Sequence, residues 1–286
     1  MVSLKSYGKI NLNIHILPKK LSSGLYPVKY VICQIDLYDE IYIENINNKI
    51  LLTSNDKKLP KTEKNLAYKA AVLLKEEVKN KSLGAKIKII KNIPIKAGFG
   101  GGSSNAASVL LSLIKIWDVK INKEKILKIA GELGKEVFYL LKGGVCEVLH
   151  DGTVVNKIVS NMPKIWLVLI SPKQKKPSTG HMFKSLMPKG IGKKQIKFNL
   201  IKKAILNNDK KAVIKNLHND FETYALKKYP DLIKIKQDLL YNGALNAIMT
   251  GAGLYIVGYF DKKKTAEQAY KSLRKKYTNA ILTNTK

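Results

Sequence analysis

The chain has 286 residues, of which 45% are hydrophobic, and its formal net charge is +31. This length suits two domains of ordinary size, each able to bury a core. No apolar run reaches the roughly 20 residues that cross a bilayer, and polar residues interrupt the first 16 positions where a signal peptide would be apolar. The composition therefore predicts a cytoplasmic globular protein with no membrane partner.

The positive charge comes almost entirely from lysine, because arginine occurs once, at Arg274. Nucleic-acid recognition favours guanidinium groups, which make bidentate contacts to bases and phosphates. The lysines are also spread along the whole chain instead of forming one basic stripe. We therefore expect a solvated lysine surface that attracts small anions, with no specific nucleic-acid partner. An RNA-binding protein remains the alternative that the charge favours.

The cysteines and histidines show no metal-binding pattern. Cys33 and Cys146 lie in apolar surroundings, far apart and outside any CxxC motif, so they are predicted to be inert core thiols. The four histidines are scattered along the chain, at His15, His150, His181 and His218. Their spacing predicts packed or surface residues and no protein-bound transition metal.

The first half of the chain alternates strand-like and helical patterns. Residues 4–16, 30–37 and 40–45 are rich in Ile, Val and Tyr and predict strands, with a turn signal at Tyr38-Asp39. Apolar positions on one face predict a helix over 65–78, and a strand follows over 85–93. Further helices are predicted over 106–117 and 123–133.

The second half begins after a hairpin formed by residues 145–149 and 153–158 around Asp151-Gly152. A new strand over 165–170 places the domain boundary near Val159, which gives domains 1–158 and 159–286. Both helices and strands follow in this half. The helices are predicted over 178–186, 195–206, 218–227, 231–241 and 263–276, and the paired strands over 245–250 and 254–260.

The segment 94–107, PIKAGFGGGSSNAA, has the composition of a phosphate-binding loop. Its four glycines carry no Cβ, so the backbone can reach positive φ and bring its N–H groups against an anion. The residues that follow, 103–105, suit the start of a helix whose positive end faces the loop. The glycines are Gly98, Gly100, Gly101 and Gly102, and the next three residues are Ser103, Ser104 and Asn105. A plain flexible turn is the alternative. Neither the Walker nor the Rossmann pattern is present.

This loop resembles the phosphate loop of the GHMP kinases, with Phe99 in place of the family's Leu. The resemblance implies an α+β fold of two domains, the first of the ribosomal protein S5 domain 2 type and the second ferredoxin-like, with the site in the cleft. It also implies ATP and Mg²⁺ as cofactors. The glycine loop and residues 103–105 would hold the phosphates and Ser104 the metal. Pro94, Lys96 and Asn65 would complete the nucleotide site.

The first strand carries a second point of resemblance. Gly8-Lys9-Ile10-Asn11-Leu12 is similar to a family strand in which the lysine and the asparagine point into the substrate site. The resemblance implies that Lys9 orients the acceptor hydroxyl and offsets charge in the transition state. An exposed lysine on an edge strand is the alternative, because burying an unpaired ammonium group costs several kcal/mol.

Two later segments are similar to one branch of the family, which phosphorylates a cytidine-linked, phosphorylated alcohol of the non-mevalonate route to isoprenoid precursors. Met249-Thr250-Gly251-Ala252-Gly253 resembles a glycine turn that approaches the phosphate loop, with Gly251 and Gly253 as substrate-site residues; an ordinary hairpin is the alternative. The segment with Thr179 resembles one that ends in an aromatic residue stacked on cytosine. That implies Phe183 for one face of the base and Tyr26 for the other, unless both are core residues.

The chain departs from this branch at two places. Glu136 stands where the family has the aspartate that serves as catalytic base, and Pro27 stands where it has a base-recognising histidine. Three other functions therefore stay open: a GHMP kinase of a smaller, mevalonate-like alcohol, a degenerate nucleotide binder without catalysis, and the RNA-binding protein. The pattern leaves both a monomer and a homodimer open.

Overall fold

The computed structural model describes residues 1–174, 178–186 and 190–286. The described residues form eleven strands and ten helices that alternate along the chain. The strands are β1 (Val2–Ile16), β2 (Val28–Asn47), β3 (Ile50–Ser54), β4 (Leu83–Ile90), β5 (Val145–Leu149), β6 (Val154–Val159), β7 (Trp166–Ile170), β8 (His218–Asn219), β9 (Asn246–Met249), β10 (Ile256–Phe260) and β11 (Ile281–Asn284). The helices are α1 (Leu66–Glu77), α2 (Gly101–Ile116), α3 (Lys123–Leu133), α4 (Lys135–Lys142), α5 (Thr179–Lys184), α6 (Ile196–Leu206), α7 (Lys210–Lys215), α8 (Glu222–Lys228), α9 (Asp231–Tyr241) and α10 (Lys263–Arg274).

Most predicted elements are confirmed, including α1, α3, the β5–β6 hairpin and the β9–β10 pair. The sequence reading missed β3, the short helices α4 and α7, and the two-residue strand β8. The helix predicted over 218–227 begins only at Glu222, since His218–Asn219 pair with β1 instead. The turn predicted at Tyr38-Asp39 is wrong, because β2 continues through both residues.

Asp39 looked like a turn residue because aspartate commonly bonds its own backbone in turns. Here its carboxylate is fully buried and makes long-range contacts. It pairs with Lys91 and accepts hydrogen bonds of 2.8 Å from the N–H groups of Asn92 and Ile93. The side chain therefore ties β2 to the segment that follows β4, and no local turn forms.

Contacts between residues divide the chain into two compact units, neither of which is continuous in sequence. The first comprises Met1–Gly8, Leu37–Ile95 and Gly100–Lys142, and the second Lys9–Asp36, Lys96–Phe99 and Gly143–Lys286. The sequence predicts instead a single division between residues 158 and 159. That linear division of the family domains stays a prediction.

The first unit contains one sheet segment and the helices around it. β4 pairs antiparallel with the second half of β2 and parallel with β3, so these strands follow the order β3-β4-β2. Helices α1 and α2 pack against each other, and α1 also contacts β3 and β4. Asn65 caps α1, because its side chain accepts the N–H of Ala67 at 2.9 Å.

The second unit contains a four-stranded antiparallel sheet with the order β11-β7-β10-β9. Numbered along the chain, this order is 4-1-3-2, with helices between the first and second strands and between the third and fourth. This is the βαββαβ arrangement of a ferredoxin-like domain, as the resemblance implies. In the same unit, β8 adds to β1 in parallel, with Asn13 opposite His218 and Ile14 opposite Asn219.

The two cysteines lie inside the protein. Cys33 and Cys146 are buried and form no disulfide, and burial raises the pKa of Cys33, so the prediction that both thiols lie in the core is confirmed. Among the described helices, none is both long enough and apolar enough to cross a bilayer.

Asp238 on α9 supplies a pH-dependent contribution to stability. Burial alone would raise the pKa of this carboxyl, but hydrogen bonds of 2.5 Å from Lys276 and Tyr277 outweigh it, so the pKa lies below its usual value. A lowered folded-state pKa gives stability that is complete above the unfolded value, about 3.9, and is lost as the pH falls through the folded value.

We therefore expect Asp238→Asn to lower the free energy of unfolding at neutral pH and to have a shrinking effect below about pH 4. Urea unfolding of both proteins between about pH 7 and pH 3 measures this difference. Exposed Glu124 offers a control with the same change of charge, since Glu124→Gln removes no such contacts. An Asp238→Asn effect that is equal at all pH values would contradict the assignment.

Candidate active site

The glycine loop turns directly into helix α2. Gly98 and Gly100 adopt φ values of +89° and +69°, a region that only glycine enters at no cost. The first helical hydrogen bond runs from Ser104 N–H to the carbonyl of Gly100, at 2.8 Å. The N–H groups of Gly101, Gly102 and Ser103 are therefore those that the helix leaves without an acceptor of its own.

This geometry corrects the predicted start of the helix. The sequence predicts that the helix starts at residues 103–105, whereas α2 begins at Gly101, and Gly100 is its N-cap without a side-chain hydrogen bond. The first turn of α2 contains no acidic residue. Bare amides, the positive end of the helix dipole and the lack of an acidic neighbour together favour an anion at this position.

The base of the loop is tightly packed inside the first unit. A Cβ placed on Gly101 would lie 3.0 Å from Cγ2 of Ile93 and 3.1 Å from Nζ of Lys91. Lys91 is itself held by the buried carboxylate of Asp39. The ion pair between Asp39 and Lys91 therefore also holds Lys91 against the first turn of α2.

Ser104 and Asn105 point into the protein. The Ser104 hydroxyl donates to the carbonyl of Tyr7 at 2.7 Å and accepts from Ser6 at 2.8 Å, and the residue is 4% exposed. Asn105 is 2% exposed, and its Oδ1 has no hydrogen-bond partner among the described residues. The Ser104 hydroxyl is therefore engaged both as a donor and as an acceptor, and its role as a magnesium ligand stays a prediction.

In the second unit, Lys9 and Asn11 meet the turn after β9. Lys9 is 2% exposed, and its Nζ donates to Oδ1 of Asn11 at 3.0 Å. The Asn11 N–H donates to the hydroxyl of Thr250 at 3.2 Å. The alternative of an exposed edge lysine is therefore wrong. Sequence reasoning named Thr250 only as a member of the motif 249–253, whereas in the structure its hydroxyl holds the backbone of Asn11.

The glycine turn makes the close approach that the resemblance implies. Gly251 adopts φ +59°, and a Cβ on it would lie 3.4 Å from Oδ1 of Asn11 and 3.8 Å from Nζ of Lys9. A Cβ on Gly253 would lie 2.8 Å from the carbonyl oxygen of Ala97, closer than real Cβ atoms come. The turn therefore lies against the backbone of Ala97 and Gly98, which an ordinary hairpin would not require.

Asn219 supports this turn from β8. Its Nδ2 donates to the carbonyls of Met249 and Gly251, both at 2.8 Å, and its Oδ1 accepts the N–H of Phe221. Asn219 and the three residues that it contacts are all buried. Asn219 therefore positions Gly251, a role that local sequence patterns did not indicate.

Phe99, which replaces the family leucine, belongs to the core of the second unit. It is 1% exposed, and its ring lies edge-on to Tyr255 with 4.7 Å between centroids. The N–H of Lys9 donates to its carbonyl at 2.9 Å. The substitution therefore keeps an apolar side chain in the middle of the glycine loop and adds an aromatic contact.

The two candidate stacking residues are partly buried. Phe183 lies edge-on to Phe221 at 4.9 Å, and Tyr26 packs against the same core with Nζ of Lys20 at 5.1 Å from its ring. Thr179 is exposed at the first position of α5. Each aromatic ring thus contacts the core with one part and leaves another part accessible to a ligand.

The other predicted residues lie in loops or at helix starts. Asn65 uses both ends of its amide group. Its Oδ1 caps α1, and its Nδ2 donates to the carbonyl of Pro60 at 2.8 Å. Lys96 is exposed in a left-handed conformation, with φ +60°, and Pro94 is partly buried. Glu136 is partly buried in the first turn of α4, a helix that the sequence reading missed.

Both halves of the chain match a known enzyme family. The GHMP kinases N terminal domain matches residues 65–148, and the GHMP kinases C terminal domain matches residues 201–279. A 4-diphosphocytidyl-2-C-methyl-D-erythritol kinase of Clostridium perfringens is 36% identical over 280 residues, which cover 96% of this chain and 94% of that protein. The chain belongs to the GHMP kinases. It is therefore an ATP-dependent phosphotransferase with an alcohol group as acceptor.

Further relatives extend over the whole length. The kinase of the same name from Clostridium tetani is 35% identical, covering 99% of this chain and all of that protein. The crystal structure of a 4-(cytidine 5'-diphospho)-2C-methyl-D-erythritol kinase covers 99% of both chains with a TM-score of 0.84 at 23% identity. That of L. major mevalonate kinase gives a TM-score of 0.74 at 14% identity, covering 100% of this chain and 96% of that one. These structures confirm the two-domain GHMP kinase fold.

The close approach at Gly253 gives a test of the site. We expect Gly253→Ala to lower kcat/KM at least about tenfold, a loss of roughly 1.4 kcal/mol of transition-state stabilisation, because the turn must move off Ala97. Steady-state phosphorylation kinetics measure the effect. Gly190→Ala is the matched control, since its Cβ meets nothing within 4 Å. Equal kinetics of the two variants would refute the importance of this contact.

Proposed function

We propose that this kinase transfers the γ-phosphoryl group of ATP to a hydroxyl of 4-diphosphocytidyl-2-C-methyl-D-erythritol, in non-mevalonate isoprenoid precursor synthesis. The observation that carries the proposal is the 35–36% identity, over 96–99% of the chain, to kinases that are named for this substrate. The motif residues Lys9 and Asn11 and the turn 249–253 are also present and lie together in the second unit.

In this proposal the phosphates of ATP bind the N–H groups at the start of α2. The amides of Gly101, Gly102 and Ser103 offer hydrogen bonds without competition from a capping side chain. Gly98 and Gly100 supply the backbone turn that leads into them. Mg²⁺ is expected to accompany the nucleotide, held chiefly by phosphate oxygens and water, as it is at most ATP sites. Pro94, Lys96, Asn65 and the side chain of Asn105 stay predictions for the nucleotide site.

Lys9 is proposed to act on the acceptor hydroxyl. Its ammonium group is held by Asn11 inside the protein, where an electrostatic interaction is stronger than in water. Phosphoryl transfer relies mainly on positioning and on offsetting charge, and a fixed cation supplies both. Asn11 therefore serves both as a partner of Lys9 and as a candidate contact to the substrate.

Glu136 is proposed as the general base or as an electrostatic partner of the reacting hydroxyl. A glutamate reaches about one methylene farther than the aspartate it replaces, and misplacement by about 1 Å can cost a hundredfold in rate. The helical backbone at the start of α4 fixes where the longer side chain begins. The position of this carboxylate therefore sets the rate of phosphoryl transfer.

Tyr26 and Phe183 are proposed to stack on the cytosine ring, with Thr179, Gly251 and Gly253 as further substrate contacts. Each stack contributes roughly 1–3 kcal/mol. Pro27 carries no side-chain donor, so recognition of the base depends on other groups than in the family pattern. The cytoplasmic location, the lack of a nucleic-acid partner and the choice between monomer and homodimer stay predictions.

A coupled ATPase assay tests the substrate assignment. We expect ATP-dependent phosphorylation of 4-diphosphocytidyl-2-C-methyl-D-erythritol, with kcat/KM at least about a hundredfold above that for mevalonate, because base stacking and contacts to the diphosphate add binding energy. Preferred turnover of mevalonate would assign the chain to another branch of the family. ATP binding without turnover of any alcohol would instead support a degenerate nucleotide binder.

Substitution of Glu136 tests its role. We expect Glu136→Gln to lower kcat by about a hundredfold or more, the usual contribution of a general base, with little change in KM for ATP. Glu136→Asp restores the family residue and should retain activity. Exposed Glu132 on α3 gives a charge-matched control, and Glu132→Gln should leave kcat unchanged. A Glu136→Gln enzyme with undiminished kcat would rule out Glu136 as the base.

A further inference from the structure

Two histidines and an aspartate from distant parts of the sequence meet in the second unit. His15 lies near the end of β1, and His218 and Asp220 lie at β8, which pairs with β1. One ligating atom from each of the three side chains falls within 4.8 Å of the other two. The imidazole rings of His15 and His218 are stacked, with 4.7 Å between centroids.

His15 is the unusual member of this cluster. It is fully buried, and neither Nδ1 nor Nε2 has a hydrogen-bond partner among the described residues. A buried polar group without a partner typically costs about 1–3 kcal/mol. Imidazole nitrogens are the commonest protein ligands of metal ions, so a bound ion would satisfy one of the two unpartnered nitrogens.

Asp220 supplies the negative charge. Its Oδ2 accepts the N–H groups of Ile16 and Gly192 at 2.7 and 2.9 Å, which fixes the orientation of the carboxylate. Its Oδ1 lies 2.7 Å from Nε2 of His218. With Oδ2 held by two backbone N–H groups, the carboxylate directs Oδ1 into the cluster.

We propose that His15, His218 and Asp220 form a binding site for one divalent transition-metal ion of the zinc class. Two imidazoles and one carboxylate are ligands that Zn²⁺, Co²⁺ and Ni²⁺ prefer, whereas Mg²⁺ prefers oxygen. Ligands of a tetrahedral zinc ion lie about 3.3 Å apart, given bonds of about 2.0–2.1 Å. Movements of the ligand atoms by at most about 1.5 Å would bring their separations, now within 4.8 Å, to this value, with water as the fourth ligand.

The surroundings set limits on the affinity. Lys29 and Lys197 both disfavour positive charge at His15. Lys29 is partly engaged over the ring of Phe198, at 4.3 Å, and Lys197 donates to the carbonyl of Leu217 at 3.1 Å. We therefore expect weaker binding than at a structural zinc site with several thiolates. The ion enters past His218, whose side chain is 16% exposed.

A bound ion would join β1 to β8 through side chains as well as through the backbone. β1 also carries Lys9 and Asn11, and Asn219, between the two β8-side ligands, holds the turn at Gly251. Metal binding therefore stabilises the strand and the turn that present the substrate-site residues. The ion takes no part in phosphoryl transfer, so its effect is on stability.

Titration of the tag-free protein with CoCl₂ tests the proposal, because Co²⁺ bound by nitrogen and oxygen ligands absorbs visible light. We expect absorbance that saturates at one equivalent, displacement by Zn²⁺, and a higher melting temperature with Zn²⁺ present. His218→Asn and His15→Leu should each weaken Co²⁺ binding at least about tenfold. His15→Leu removes an unpartnered buried imidazole, so it should not destabilise the metal-free protein.

Surface histidines provide the controls. His150 and His181 are exposed, and their glutamine variants should bind Co²⁺ as the wild type does. Circular dichroism confirms that each variant is folded. Lack of saturable binding to the wild-type protein would overturn the proposal. So would titration curves of folded His218→Asn or His15→Leu that match the wild type.

Discussion

Burial of the Lys9 ammonium group is the constraint on which the arrangement of Asn11 and the turn 249–253 depends. Removing such a group from water costs several kcal/mol unless polar atoms replace the lost solvent. Asn11 supplies one such atom, and Thr250 holds Asn11 in place. The turn that meets Lys9 and Asn11 favours glycine at Gly251, because its φ of +59° strains the backbone of any residue with a side chain. One buried cation thus explains the residue types at several distant positions.

Strand β1 shows how this arrangement is encoded. Successive side chains of a strand point to opposite faces, so residues 9, 11, 13 and 15 share one face and residues 10, 12, 14 and 16 the other. The second face is entirely apolar, while the first carries lysine, two asparagines and histidine, and all eight are buried. Asn13 is satisfied by Val31 N–H at 2.9 Å, as Asn11 is by Lys9. His15 is the member of this row for which no protein partner is found among the described residues, and this distinguishes it from an ordinary packed histidine.

The parts of the structure that local patterns determine were predictable. The glycine run, the amphipathic helix α1 and the β9–β10 pair depend on neighbours in sequence. The importance of Lys9 was predicted from the resemblance of its motif to a family strand. Contacts between distant residues were not predictable from the pattern. Asp39 reads as a turn residue until Lys91 and Ile93 reach it, and His15 and His218 show no metal-ligand spacing because strand pairing alone brings them together. The start of α2 was misplaced because glycine is a poor helix former, and the packing that requires glycine at Gly101 involves Ile93 and Lys91, which precede the loop.

Pro27 and Glu136 affect different parts of the function. The carbonyl of Pro27 accepts the N–H of Leu17 at 2.9 Å, so this residue closes the loop between β1 and β2 and fixes the backbone beside Tyr26. Under the proposed function, the restrained loop favours stacking by a positioned Tyr26 over recognition by a side-chain donor. In the same proposal Glu136 keeps the carboxylate of the family residue and changes its reach, which bears on the rate of phosphoryl transfer and not on which base is bound. The proposal therefore predicts separate effects: a change at Pro27 acts on substrate selection, and a change at Glu136 acts on the chemical step.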